Sequence, residues 1–298
     1  MKKLFAPLCA LVLLLSACGQ PAASQPQDED TLHIVATTYP VYLFTTAVTE
    51  GAEGVEVSLL VNQQTSCLHD YTLTVSDMKA IEGADVIVMT GAGLEDFMDD
   101  ALSASDAQVI NCSEGIDLLP AQGHEGHDHD AEYDPHIWMD PANAQVMLGT
   151  IADQLGQITG QDLQARCTEV QQQVEQASQQ WKEQLTTLSD PKLITFHDGF
   201  QYFSRSFGLE LLKAIEEEEG SEASAQEIKE IVSLVEQYHL PAIFTEVNGS
   251  ESTALAISRE SGCGVYQLNM IMSGDGTGIQ PYLDAMQNNI DTIVEAFG

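Results

Sequence analysis

Three histidines in this 298-residue chain stand where a metal could be held: His69, His136 and His197. His69 follows an apolar strand-like run, His136 sits in the rigid stretch "DPHIWMDP", and His197 directly follows "KLITF". In open α/β sheets, ligands bind beyond the carboxyl ends of the strands. One histidine there would more often be structural. Three at equivalent places shift the balance toward a metal site, and neutral imidazole suits zinc, with four ligands typical. His33 and His239 read as structural or exposed. His124, His127 and His129 lie in an acidic, glycine-containing tract that is either a spacer or a transient metal antenna.

The elements that position these residues are legible from hydrophobic pattern. "LHIVATT", "VEVSLL", "DVIVMT" and "AQVIN" are short apolar strands separated by helical stretches, which signals βαβ units and a parallel sheet. The grammar repeats in "KLITF", "LELLKAI", "PAIFTE" and "GVYQLN". Ser224 and Glu227 stand in capping-box spacing at the head of one helix, and Asp140-Pro141 suits the N-cap and first position of another. Between the halves, residues after Gly160 hold no glycine or proline until the next strand approaches. Leu163, Val170, Val174, Ala177, Trp181 and Leu185 recur at helical spacing there. One helix of roughly 26 residues, about 40 Å long, is expected. The fold class is therefore α/β: two lobes with parallel sheets flanked by helices, joined by one long rigid helix. The expected bounds are 1–17 for a signal peptide, 18–30 for a tether, 31–159 for the first lobe, 160–189 for the connector and 190–298 for the second lobe.

The N-terminus "MKKLFAPLCALVLLLSACGQ" has two lysines, an apolar run short for a membrane span, then small residues and Cys18. Leu15-Ser16-Ala17-Cys18 resembles a bacterial lipobox, which makes Cys18 the expected lipidation site and anchors a soluble body at a membrane face. Losing Lys2 and Lys3 with the signal would take the formal charge from −36 to −38. That balance excludes nucleic acid as a partner and suits a cation as ligand. Cys67, Cys112, Cys167 and Cys263 show no CxxC zinc pattern. A Cys67–Cys112 disulfide is open at this level, because both follow strands.

Taken together, "TTYPVY", "LHDYTLTVSDM", "ADVIVMTGAGLEDFMDD", "DPHIWMDP", "TFHDGFQYFSRSFGLELL", "AIFTE" and "YLDAMQNNI" resemble the zinc and manganese receptors of bacterial ABC transporters, cluster A-I (cluster 9). The resemblance runs from about residue 31 to 298. It implies a metal bound between two lobes and delivered to a membrane permease served by a separate ATPase subunit, by a monomeric receptor. It places His69, His136 and His197 on ligand positions. A histidine at the third of these leans toward zinc over manganese. The fourth position departs from the family pattern: a carboxylate is usual where this chain has Asn269 in "QLNMIMSGDG". Glu246, Asn269, Asp275 or water are the candidates. Two other function classes stand beside transport: a zinc hydrolase with an open three-histidine site and Glu246 as base, and an adhesin. HExxH, GxSxG and P-loop patterns are absent.

Overall fold

The structure, a computed structural model, describes residues 31–62, 68, 71–121, 132–215, 224–247 and 249–298. Cys18, Cys67, His69, the loop histidines His124, His127 and His129, and the acidic run 216–220 lie outside the described residues.

Two four-stranded sheets, all parallel, carry the architecture. The first contains β1 (Leu32–Ala36), β2 (Val55–Leu59), β3 (Val86–Met89) and β4 (Gln108–Asn111), in the order β2-β1-β3-β4. The second contains β5 (Lys192–Thr195), β6 (Glu210–Ala214), β7 (Ala242–Glu246) and β8 (Gly264–Leu268), in the order β6-β5-β7-β8. The repeated grammar of the sequence is thus a repeated topology. The central strands β3 and β7 are runs of apolar or β-branched residues, apart from the terminal Glu246, because helices cover both faces of a parallel sheet.

Nine α-helices flank these sheets among the described residues. They are α1 (Tyr39–Val48), α2 (Val75–Glu82), α3 (Asp99–Ala104), α4 (Pro141–Thr159), α5 (Gln164–Leu185), α6 (Gln201–Phe207), α7 (Ala225–Tyr238), α8 (Ser252–Ser261) and α9 (Gln280–Phe297). Their ends follow local chemistry. The Ser224–Glu227 capping box forms at the start of α7. Asp140 caps α4, its carboxylate accepting from Ala142 N at 2.8 Å, with Pro141 in the first turn. Helix α1 starts at Tyr39, with Pro40 tolerated in its first turn. The stretch "LEDFMDDAL" splits into a 3₁₀ turn, Asp96–Met98, and the short α3. The buried Glu95 carboxylate explains the delay. It accepts from Thr90 N at 2.7 Å, Gly91 N at 3.0 Å and the Thr37 hydroxyl at 2.7 Å, closing a turn before a helix can begin. Burial pushes its carboxyl up from the usual carboxylate range.

The connector α5 has 22 residues, about 33 Å at 1.5 Å per residue. Cys167, Val170, Val174, Ser178, Trp181 and Leu185 form its buried stripe. Near its start Arg166 Nε donates to Ala47 O at 3.1 Å; near its end Trp181 Nε1 donates to Gln287 Oε1 at 2.9 Å. One rigid element therefore grips α1 and α9.

A second link joins the two sheets' surroundings. The segment after β8, residues 269–279, runs back to the first half of the chain. Gly276 N donates to the Tyr39 hydroxyl at 3.1 Å and Gly278 N to Thr46 Oγ1 at 2.9 Å. Glycine is required at 274, where a Cβ would sit 2.4 Å from the Tyr39 hydroxyl oxygen. The larger core cluster runs from Ile34 to Ala296 and holds residues of both sheets, while a second cluster, with Ile194, Ile231, Val235, Ile243 and Ile257, lies under α7 and α8. Cys112, Cys167 and Cys263 are free and buried. No helix of the described residues is long and apolar enough to cross a membrane.

Candidate metal centre

His136 and His197 are 61 residues apart in sequence and meet in space, their Nε2 atoms 3.3 Å apart and the rings edge-on. His136 comes from the loop before α4. Asp134 holds it twice, Oδ1 accepting from the His136 backbone N at 2.9 Å and lying 2.8 Å from ring Nδ1. Pro135 between them stiffens the turn. Trp138 closes the loop from beneath: it is fully buried, its ring stands 5.3 Å from the His136 ring, and Nε1 donates to Met270 O at 2.9 Å. The Tyr282 hydroxyl in α9 donates to Trp138 O at 3.0 Å. The loop is thus tied to the segment after β8.

His197 leaves the carboxyl end of β5, and Thr195 Oγ1 donates to its carbonyl at 2.7 Å. Glu246 ends β7, the neighbouring strand. Between β5 and β7 the strand order reverses, the place where open α/β sheets take ligands. Glu246 Oε1 lies 3.2 Å from His197 Nδ1. Both rings therefore present Nδ1 to a carboxylate and Nε2 to each other. A carboxylate on one ring nitrogen fixes the tautomer that leaves the other nitrogen's lone pair for a metal. Asp198 Oδ1 stands 3.3 Å from His197 Nε2, and His136, His197 and Asp198 each bring one ligand atom to within 4.8 Å of the others. Gly199 makes room, since a Cβ there would lie 2.9 Å from His136 Cδ2.

The donor set fits a divalent transition metal, with imidazole nitrogens facing a common point and carboxylates supplying charge. The family described as zinc-uptake complex component A, periplasmic, matches residues 34–296, nearly all of the described chain. The chain belongs to this family. Among relatives, a manganese-binding lipoprotein, MntA of Halalkalibacterium halodurans, is 26% identical over 96% of this chain and 95% of its own length. A zinc-binding lipoprotein, AdcA of Streptococcus pneumoniae, is 28% identical over 97% of this chain, which spans 59% of AdcA. The crystal structure of ZnuA superimposes with a TM-score of 0.77 at 26% identity, covering 90% of this chain and all of that one. As a member of the zinc-uptake component A family, the chain is a metal-uptake component and not an enzyme, so the hydrolase reading falls.

Of the expected site residues, the fold brings His136, His197 and Glu246 together. His69 lies outside the described residues. Asn269 is engaged in its own turn: its side-chain oxygen accepts from Ile271 N at 2.7 Å, and its backbone exchanges hydrogen bonds with the Asn289 amide. Asp275 sits in the glycine-rich return between Gly274 and Gly276. Sequence reasoning missed Asp198 and the ring-holding role of Asp134. The only signals were adjacency, Asp-Pro-His in one case and His-Asp in the other.

Asp134 is fully buried, and its Oδ2 has no hydrogen-bond partner. A buried carboxylate with one idle oxygen is costly unless positive charge stands nearby. A metal held on the far side of the His136 ring would supply that charge through the imidazole. Asp134→Asn is expected to weaken zinc binding by about 10- to 100-fold, the usual cost of losing a ligand's outer hydrogen-bond partner. Chelator competition on the metal-free protein measures it, and an unchanged affinity refutes the role.

Proposed function

We propose that this chain is the extracytoplasmic receptor of a metal importer. It takes up one zinc ion between lobes 31–159 and 190–298, joined by the 160–189 connector, and delivers it to an ABC permease driven by a separate ATPase subunit. His69, His136 and His197 hold the ion. Lipid on Cys18 anchors a monomeric body to the outer face of the cell membrane through the 18–30 tether. The observation that carries this reading is the pair of Nε2 atoms 3.3 Å apart, each on a ring whose Nδ1 faces a carboxylate. Three imidazoles favour zinc over manganese, which prefers oxygen donors. The acidic balance, 46 Asp and Glu against 10 Lys and Arg, suits attraction of a cation.

Calorimetry on metal-free protein tests the site: one zinc per chain is expected, with strong weakening in His69→Ala. Full affinity in that variant would remove His69 from the site. The two links between the lobes, α5 and the 269–279 return, also predict little motion on loading. Solution scattering of metal-free and zinc-loaded protein should give the same radius of gyration, and a large domain rotation would refute this.

A further inference from the structure

The turn that follows β8 touches both histidine loops and belongs to neither. We propose that Asn289, on α9, is a positioning residue of the metal centre, acting through a strained turn at Met270-Ile271. The inference rests on the reading of His136 and His197 as zinc ligands.

Strand β8 ends at Leu268, so Asn269 stands one residue past the sheet. The buried Asn289 carboxamide supplies the pairing that a neighbouring strand would give. Its Oδ1 accepts from Asn269 N at 2.7 Å, and its Nδ2 donates to Asn269 O at 2.8 Å. A carboxamide carries acceptor and donor side by side, matching a backbone N–H and C=O. Held in this way, Asn269 turns its own Oδ1 onto Ile271 N at 2.7 Å.

That last bond closes a turn that Ile271 resists. Its φ is +64°, and among the four described non-glycine residues with positive φ it is the only β-branched one. The left-handed region crowds Cβ, and a branched residue stays there only when its surroundings over-determine it. Burial of the Ile271 side chain and the Asn269–Asn289 clamp together do so.

The strained turn aims Met270, which is buried, in two directions. Its carbonyl accepts from Trp138 Nε1 at 2.9 Å, fixing the floor of the His136 loop. Its sulfur reaches the loop of the other histidine: a Cβ on Gly199 would lie 2.5 Å from Met270 Sδ and 2.9 Å from His136 Cδ2. Met270 and the His136 ring therefore share the space over Gly199, two residues after His197. If Ile271 relaxed to negative φ, the Met270–Ile271 peptide would rotate and both contacts would shift. Helix α9 is thus coupled to the placement of the two imidazoles, whose Nε2 atoms stand 3.3 Å apart.

The test uses Asn289→Ala, Ile271→Gly and the double variant in the full chain. Zinc affinity is measured by chelator competition, site geometry by the visible spectrum of bound cobalt(II), and stability by thermal melts of metal-free protein. Asn289→Ala is expected to weaken zinc binding about 10-fold, the low end for an outer partner, and to shift the cobalt band. Glycine takes the left-handed conformation without strain, so the clamp matters less beside it. In the Ile271→Gly background the same substitution should weaken binding by about 3-fold or less, and its lowering of the melting temperature should shrink likewise. Additive effects in affinity or in melting overturn the proposal. So does a lowered melting temperature in Asn289→Ala with zinc affinity and cobalt band unmoved, the result expected of an amide that only ties α9 to the sheet. Should Asn289→Ala not fold, Asn289→Asp takes its place under the same criteria, since it keeps an acceptor for Asn269 N and loses the donor to Asn269 O. His136→Ala is the separate control. Wild-type zinc affinity in that variant fails the site reading itself, whatever Asn289 does.

Discussion

Replacing His136 with alanine should lower zinc affinity on the order of 100- to 1000-fold while leaving the metal-free protein folded. Zinc sites of four protein ligands bind with roughly 10–16 kcal/mol, so one ligand accounts for about 2.5–4 kcal/mol, or two to three decades. His136 belongs at the upper end of that range. Its side chain is buried, its backbone is held by the same carboxylate that holds its ring, and Gly199 leaves space shaped to it. Little ordering is left to occur on binding, so little of the ligand's contribution is lost to entropy. His136→Ala also leaves Asp134 buried with neither its ring partner nor a metal beyond it. Some loss of stability is expected from that, and Asp134→Asn in the same background should restore it without restoring zinc. Calorimetry and thermal melts on the single and double variants provide the check. Zinc binding at wild-type affinity by His136→Ala would rule out the site.

The second large effect is expected at Trp138. Trp138→Ala should destabilise the protein by about 3–5 kcal/mol, the usual cost of deleting a large buried aromatic. For a body of this size that lowers the melting temperature by roughly 10 °C. The substitution also strands the Met270 carbonyl, which loses the indole donor at 2.9 Å. Because the ring packs at 5.3 Å from His136, the same change should weaken zinc binding. Trp181 is the control. It is equally buried, lies in α5, donates to Gln287 and packs on Phe207 instead of on either histidine. Trp181→Ala is expected to lose comparable stability with zinc affinity nearly unchanged. Equal effects of the two substitutions on affinity would mean that Trp138 acts only through general stability.

Much of the local structure was legible because it is written in short-range pattern. Buried parallel strands need continuous apolar runs, so "DVIVMT" and "PAIFTE" could be placed within a residue or two. Ser224 with Glu227, and Asp140 with Pro141, announce helix starts because the groups they satisfy lie two or three residues away. The periodic stripe of α5 likewise belongs to one helix. The start of α1 and the split before α3 were less legible. The first turns on how a proline is tolerated, the second on a glutamate bonding to Thr37, 58 residues away.

The site divides along the same line. That histidines at strand ends should gather follows from the sequence by itself, since a parallel sheet places its strand ends on one side. Which nitrogen each histidine offers does not. It depends on Asp134 meeting Nδ1 of one ring and Glu246 meeting Nδ1 of the other, and the second contact exists only because β5 and β7 are neighbours in the sheet. Asn269, a natural candidate by position, is taken by Ile271 and Asn289, while Asp198, unremarkable beside its histidine, faces the shared Nε2 side. Residue type and spacing are properties of the chain and survive in any conformation. The side of an imidazole that a carboxylate approaches is set by side-chain torsions and strand order, which come into being only with the packed tertiary structure.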